Sequence, residues 1–298
     1  MLDEIRQTLS DLSYQPQWTP KQKWEILLRL YPNCVAFQDR REQYQMASDQ
    51  VIHKFHQFSS QLDRHQLEKL EKVHGIHSLT ILDSEYPDSL KEIYDPPLTL
   101  FYQGDLSILH KGYRLAVVGS RRHSDYGPKA MRRTLSYLMP YNDECVIVSG
   151  LALGIDGLAH QFALENRMHT IGVVGNGLDI NYPKANQVMQ NFMKKNHLLL
   201  SEYPAQASPM KHHFPQRNRI VVGLSRGIYV VEARKRSGSL ITAYRGVDEN
   251  RDIFVTPASI LDPHFEGSNR LLQLGAIPII KGDEIASEWK MKNKMRKK

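Results

Sequence analysis

Cysteine is almost missing from these 298 residues: Cys34 and Cys145 are the only two, and they lie far apart. They build neither a disulfide framework nor a CxxC metal or redox pair, and they fit a reducing cytoplasm. Long apolar runs are also missing. The stretch Cys145 to Ile155 is broken by Ser149, Gly150 and Gly154, and the N-terminus lacks a basic start followed by an apolar core. A cytoplasmic chain with no membrane partner is expected. No GxxxxGK precedes a Ser or Thr, which removes a Walker-type phosphate loop. Asp156 and His160 have no second acidic or histidine cluster beside them, so no metal site follows, and no cofactor is expected.

Composition places what remains. With 41% hydrophobic and 24% charged residues the chain is an ordinary globular one, neither disordered nor collagen-like. Its length suits two domains. Lys and Arg number 39 against 32 Asp and Glu, but unevenly: residues 1–110 hold 11 basic and 16 acidic side chains. Lys290 to Lys298 carry six basic and no acidic ones. That tail supplies either loose polyanion affinity or solubility.

Residues 1–75 read as short helices, with apolar spacing such as Trp24, Ile26, Leu27, Leu28 and Leu30 and a helix start at Thr19-Pro20. Nothing there suggests chemistry, and a packing or interaction module is the reading. Two extended runs, Leu79 to Leu82 and Leu98 to Tyr102, follow as edge strands or a connector. Seven apolar runs then alternate with helix-length segments: Leu115–Val118, Val146–Val148, Thr170–Val174, Leu198–Leu200, Ile228–Val231, Ile253–Val255 and Ile277–Ile280. This alternation predicts an α/β fold with a parallel, doubly wound sheet covered on both faces. Residues 76–288 form that domain and residues 289–298 the basic tail.

Ligands of an open parallel sheet sit outside the carboxyl ends of its strands, so the segments after each run matter most. After the first comes Gly119-Ser120-Arg121-Arg122, where Arg121 offers a forked donor to a phosphate. After the second comes Ser149-Gly150-Leu151-Ala152, then Asp156 and His160, read either as a helix cap with a satisfied histidine or as ligand contacts. After the third, Gly175 to Asn186 forms a constrained loop; Lys184 lies at a helix start on the edge that carries Arg121, and Tyr182 either stacks on a base or buttresses the loop. Arg217 and Arg219 open a further helix and cannot face one way, so one is expected to meet ligand and the other to form an internal ion pair. Ser237-Gly238-Ser239, beside Arg234, Lys235 and Arg236, is another candidate anion site at a helix start. Gly223 to Gly227 fits GxSxG, but with a helix before it and a strand after it the nucleophile elbow is refused.

The strings VVGSRRHSDYG, SGLALGIDGLAHQFAL, GNGLDINYPKAN, SEYP, FPQRNRIVVGLS, VVEARKRSGSLITA and GSNRLLQLGA, in this order, resemble the DprA/Smf family of bacterial natural transformation. The resemblance implies an extended Rossmann-like domain that binds single-stranded DNA without catalysis. It also implies a homodimer that helps to load the recombinase RecA in place of single-strand binding protein. By motif, the DNA-gripping arginine falls on Arg121 and the lysine on Lys184, with Ser120, Gly150, Asn186, Arg217 and Arg219 lining the same pocket. The first 75 residues look like the family's sterile-alpha-motif-like domain, and the chain ends too soon for the winged helix of many relatives. Gly246 departs from the usual alanine, and Ala258 from the usual glycine. Leu271, Leu272, Leu274 and Ile277 to Ile280 are candidates for a dimer face or for plain core. The enzymatic alternative, a phosphoribohydrolase of related fold, requires an acid where Ser237 to Ala243 has hydroxyls and alanine.

Overall fold

A computed structural model describes residues 2–290, so Met291 to Lys298, most of the basic tail, lie outside the described residues. Residues 2–74 form α1 (Leu2–Ser13), α2 (Pro20–Leu30), α3 (Asp49–Gln61) and α4 (Arg64–His74), with a 3-10 turn at Val35–Arg40. Helix α2 begins where Thr19-Pro20 predicts. The Gln22 backbone N–H donates to Thr19 Oγ1 at 3.3 Å while the Thr19 N–H donates to Gln22 Oε1 at 2.9 Å, a reciprocal cap. Ile5, Leu9, Trp24, Leu27, Phe37 and Phe55 share one apolar cluster, which also takes in Leu98 from the segment leading into the sheet. Trp24 Nε1 donates to the Pro96 carbonyl at 3.1 Å, and Thr99 Oγ1 to the Leu9 carbonyl at 3.3 Å. The helical layer is therefore stitched to the sheet by polar as well as apolar contacts.

Among the described residues nine strands make one sheet: β1 (His77–Thr80), β2 (Thr99–Gly104), β3 (Tyr113–Val118), β4 (Cys145–Ser149), β5 (His169–Val174), β6 (Leu198–Ser201), β7 (Gly227–Val230), β8 (Asp252–Val255) and β9 (Ile277–Pro278). Their spatial order is β1-β2-β6-β5-β4-β3-β7-β8-β9. The seven expected runs are the parallel strands β3 to β9, while β1 and β2 add an antiparallel edge beside β6. The runs at the two edges of the sheet depart from expectation. The first edge strand stops at Thr80, whose N–H and hydroxyl both donate to Asp83 Oδ2, at 2.6 and 2.8 Å, and so turn the chain. The last run keeps only Ile277-Pro278; the Ile279 N–H still reaches the Val255 carbonyl at 2.9 Å, but the N–H groups of Ile280 and Lys281 donate to Glu284 Oε2 at 2.8 and 3.2 Å and turn the chain away.

Helices α5 (Asp88–Lys91), α6 (Tyr126–Ser136), α7 (Ile155–Glu165), α8 (Gln187–Asn196), α9 (His213–Leu224), α10 (Gly238–Asp248), α11 (Glu266–Gln273) and α12 (Asp283–Glu288) complete the fold. Alternate strand residues point into two cores. Ala116, Val118, Val146 and Val148 meet Ile220, Val222 and Ala243 on one face. Leu115, Val117 and Ile147 meet Met131, Phe162 and Trp289 on the other. The sheet is thus doubly wound and Rossmann-like. From β3 the chain runs to β4, β5 and β6 on one side, then returns to place β7 on the other, which makes the β3/β7 crevice the topological switch point. Gly223 to Gly227 joins the end of α9 to the start of β7, the reverse of a nucleophile elbow. Among the described residues no helix is long and apolar enough to cross a membrane.

Near the C-terminus, Trp289 stacks on Tyr113 at 5.8 Å and donates from Nε1 to Asp252 Oδ2 at 2.8 Å. Leu271 and Ile279 are core residues, each 2% exposed, whereas Leu274 and Ile280 face outward. Helix α10 lies so close to β7 and β8 that a Cβ on Gly246 would stand 2.3 Å from Ile228 Cδ1 and 2.8 Å from Ile253 Cδ1. Gly246→Ala should therefore cost about 1–3 kcal/mol in urea unfolding through overpacking. Adding Ile228→Val deletes the nearer methyl, so the double variant should be more stable than the sum of the two single changes; simple additivity would refute this packing account.

Candidate nucleic-acid interface

The loops leaving β3, β4, β5 and β7 crowd together at the switch point, and glycines permit the approach. A Cβ on Gly119 would lie 2.7 Å from Ile155 Cγ1, and one on Gly154, at φ +80°, 2.4 Å from the Ser120 carbonyl oxygen. Glu232, fully buried after β7, accepts from the Ser124 N–H at 3.0 Å and from Ser124 Oγ at 2.7 Å. That carboxylate clamps the far end of the β3 loop. Ser120 is turned onto its own loop, donating from Oγ to the Arg122 carbonyl at 2.9 Å.

Arg121 is exposed on this frame, its guanidinium carbon 5.7 Å from the centre of the Phe214 ring. Phe214 in turn stacks on Tyr182, with 5.5 Å between ring centres and a 30° interplanar angle. Tyr182 keeps 42% of its surface exposed, so it buttresses Phe214 and still presents an aromatic surface. Tyr182 and Pro183 line the same small pocket as Arg121, and Lys184 begins a 3-10 turn at the next position, exposed. Arg121 and the segment that carries Lys184 thus meet on one edge. Asn186 points inward: its Nδ2 donates to the carbonyls of Leu151 and Ala152 at 3.0 and 3.3 Å, fastening the Lys184 turn to the β4 loop.

The two arginines of α9 part company, as the turn of about 200° between residues two apart requires. Arg219 is buried and donates to both oxygens of Glu202 at 2.5 Å, with Asp95 at 3.8 Å. It is the internal ion pair, and the expectation that it lines the pocket is corrected. Arg217, 3% exposed, passes beneath Gly150; its Nη1 donates to the Gly150 carbonyl at 2.6 Å and to the Val173 carbonyl. A Cβ on Gly150 would stand 2.4 Å from Arg217 Nη2, so only glycine leaves the guanidinium its place. Burial pulls the Arg217 pKa down to about 10, against the pull of Asp156.

Asp156 lies in the first turn of α7, not at its cap, which is Gly154. Burial pushes its carboxyl up, while Arg217 and the backbone N–H groups of Ala152 and Gly150 hold it down. His160 is a core histidine; its Nδ1 pairs with Thr170 Oγ1 at 2.7 Å, and burial drives it down to about 3. From the Arg121 rim a cleft of about 720 Å³ runs across the switch point, bordered by Arg122, Lys211, Arg217, Arg234 and Arg236. Among the described residues there is no group of three His, Cys, Asp or Glu that fits a metal ion.

The sequence profile of DNA recombination-mediator protein A matches residues 77–290. The chain belongs to this family. It is 49% identical over 212 residues to the DNA processing protein DprA of Streptococcus pneumoniae, covering 71% of this chain and 74% of that one. Identity to DprA of Bacillus subtilis is 41% over 219 residues, or 74% and 73% of the two chains. The X-ray structure of the S. pneumoniae protein superposes with a TM-score of 0.78 at 39% identity, covering 94% of this chain and 95% of that one. A Helicobacter pylori DNA processing protein A, whose structure concerns its single-stranded DNA binding mode, superposes at 0.63 with 32% identity, over 72% and 94%.

Family membership leaves the electrostatics under the edge to the residues themselves. Lys23 of α2 is 6% exposed in the helical layer and feels both Glu202 and Arg219. Burial lowers its pKa from 10.5 to about 8. Beside Glu202, Tyr203 stacks on His213 at 3.8 Å, one residue before Phe214. Neither this buried cluster nor the Arg121, Phe214 and Tyr182 row is visible in spacing, since their members come from separate segments. Between pH 8 and 10.5 the unfolded chain holds the Lys23 proton that the folded one has lost, so this group makes stability rise with pH across that window. Lys23→Met should stabilise the protein by about 2–3 kcal/mol at pH 7 and flatten that rise, read by urea unfolding at both ends of the window. Equal slopes in the two proteins would exclude it.

Proposed function

We propose that this chain binds single-stranded DNA without regard to sequence and performs no covalent step. Arg121 and Lys184 take successive phosphates as forked and point donors respectively, while the exposed face of Tyr182, backed by Phe214, offers a base a stacking surface. The observation that carries the reading is this juxtaposition of a cationic edge, without an ion pair among the described residues, with a half-exposed aromatic pair at the strand ends. Its support from outside the site is family membership and the likeness to the H. pylori protein. Within this reading Ser120, Gly150, Asn186 and Arg217 shape and hold the edge from beneath.

On the same basis we infer that the bound strand is handed to RecA in natural transformation, in competition with single-strand binding protein. A homodimer would double the contacts on one strand. Leu274 and Ile280, which are 57% and 64% exposed, are available for its face, whereas Leu271 and Ile279 are not. The phosphoribohydrolase alternative draws no support from Ser237 to Ala243, which supplies no carboxylate at the start of α10.

Gel retardation should show single strands retarded in preference to duplex at moderate salt. With about four phosphates neutralised per protomer, log affinity should fall with log salt at a slope of roughly −3. Arg121→Ala and Lys184→Ala should each weaken binding roughly tenfold for every sequence tested, with unfolding midpoints unchanged. Tyr182→Ala should cost about 1–3 kcal/mol of affinity with little change in salt slope. Undiminished binding by the Arg121/Lys184 double variant would exclude this edge.

A further inference from the structure

The cleft beyond the Arg121 rim holds more positive charge than a passing phosphodiester neutralises. Arg122, Lys211, Arg234 and Arg236 border it and Arg217 lines its wall, with Asp156 as the lining carboxylate. Arg217 is nearly fully buried, has no ion pair within 4.0 Å among the described residues, and its Nε has no hydrogen-bond acceptor. Carbonyls satisfy Nη1, but a buried cation with no ion pair at close range is costly unless an anion completes it.

The start of α10 faces the same cleft through Ser237, Gly238 and Ser239. Its N-cap, Ser237, gives no side-chain cap: the Ser237 hydroxyl pairs instead with Ser239 Oγ at 2.8 Å. No protein acceptor takes the N–H of Gly238 or Ser239 among the described residues. An 11-residue helix thus points its positive end and unused donors at open space, and a Cβ on Gly238 would meet nothing within 4 Å. Lys235, which does have a partner in Glu266 at 3.0 Å, is absent from the cleft lining, whereas its neighbours Arg234 and Arg236 belong to it.

We propose that Arg217 and the N-terminus of α10 form a second, deeper anion site that takes a phosphate monoester, supplied either by the end of a DNA strand or by a free mononucleotide. A monoester fits because it carries close to two charges and three terminal oxygens, enough to engage the helix N–H groups and the surrounding guanidinium groups together. The strand-end form rests on the proposed DNA binding and adds where a strand terminates; the free-nucleotide form does not need it.

The test measures anisotropy of a short 3′-dye-labelled oligonucleotide carrying either a 5′-phosphate or a 5′-hydroxyl, alongside calorimetry with adenosine 5′-monophosphate. The wild type should hold the phosphorylated strand roughly tenfold tighter, and the mononucleotide should erase the difference. Gly238→Asp, whose carboxylate fits the open space and suits a helix N-terminus, should abolish the difference by repelling phosphate, while neutral Gly238→Asn keeps it. Mononucleotide heat that Gly238→Asp removes, with both strands bound equally, assigns the site to a free nucleotide. Binding of the mononucleotide without binding of any strand would overturn the DNA reading and leave this site standing. Equal affinity for both strands together with no mononucleotide heat would overturn the site and leave the DNA reading standing.

Discussion

Arg217 donates from one guanidinium nitrogen to the carbonyls that end two neighbouring strands, Gly150 after β4 and Val173 in β5. The contact fixes the gap between the two loops at the width of a planar cation, and Gly150 is the residue that leaves room for it. The Asn186 amide joins the same β4 loop to the turn bearing Lys184, and Glu232 closes the β3 loop from the opposite side. The rim is therefore held in place before any ligand arrives. Arg121 and Lys184 remain exposed outside this bracing, where the proposed DNA binding needs them.

How far the sequence reveals this depends on the range of the interaction. The parallel strands show because Val, Ile and Leu runs between helix-length segments arise from burial on both sheet faces, a local property. The start of α2 shows because Thr19 and Pro20 act within one turn. Helical geometry requires Arg217 and Arg219 to diverge, but which of them meets a carboxylate is decided by Glu202 and Asp95, remote in the chain. Asp156 and Asn186 look like ligand contacts in the sequence because their acceptors and donors, the backbones of residues 150–152, are invisible to side-chain pattern. Phe214 escapes notice for the same reason, as its partners Arg121 and Tyr182 come from two other loops.

The helical layer and the sheet are electrostatically one body. Lys23 on α2, Glu202 after β6 and Arg219 on α9 lie within range of each other, and Asp95 extends the group toward the connector. Glu202 leads into Tyr203, whose ring covers His213 next to Phe214. Charge interactions, a ring stack and chain neighbours thus link the first helices to the aromatic pair on the rim.

The three tryptophans all sit away from that rim. Trp24 is sealed in the helical core and Trp289 in the second sheet core, while Trp18 lies against Phe55 and Phe58. Indole emission therefore reports on the integrity of the two layers and stays largely dark to whatever occupies the crevice. The phenol that borders the crevice is that of Tyr182, so folding and the proposed strand binding are read at different wavelengths.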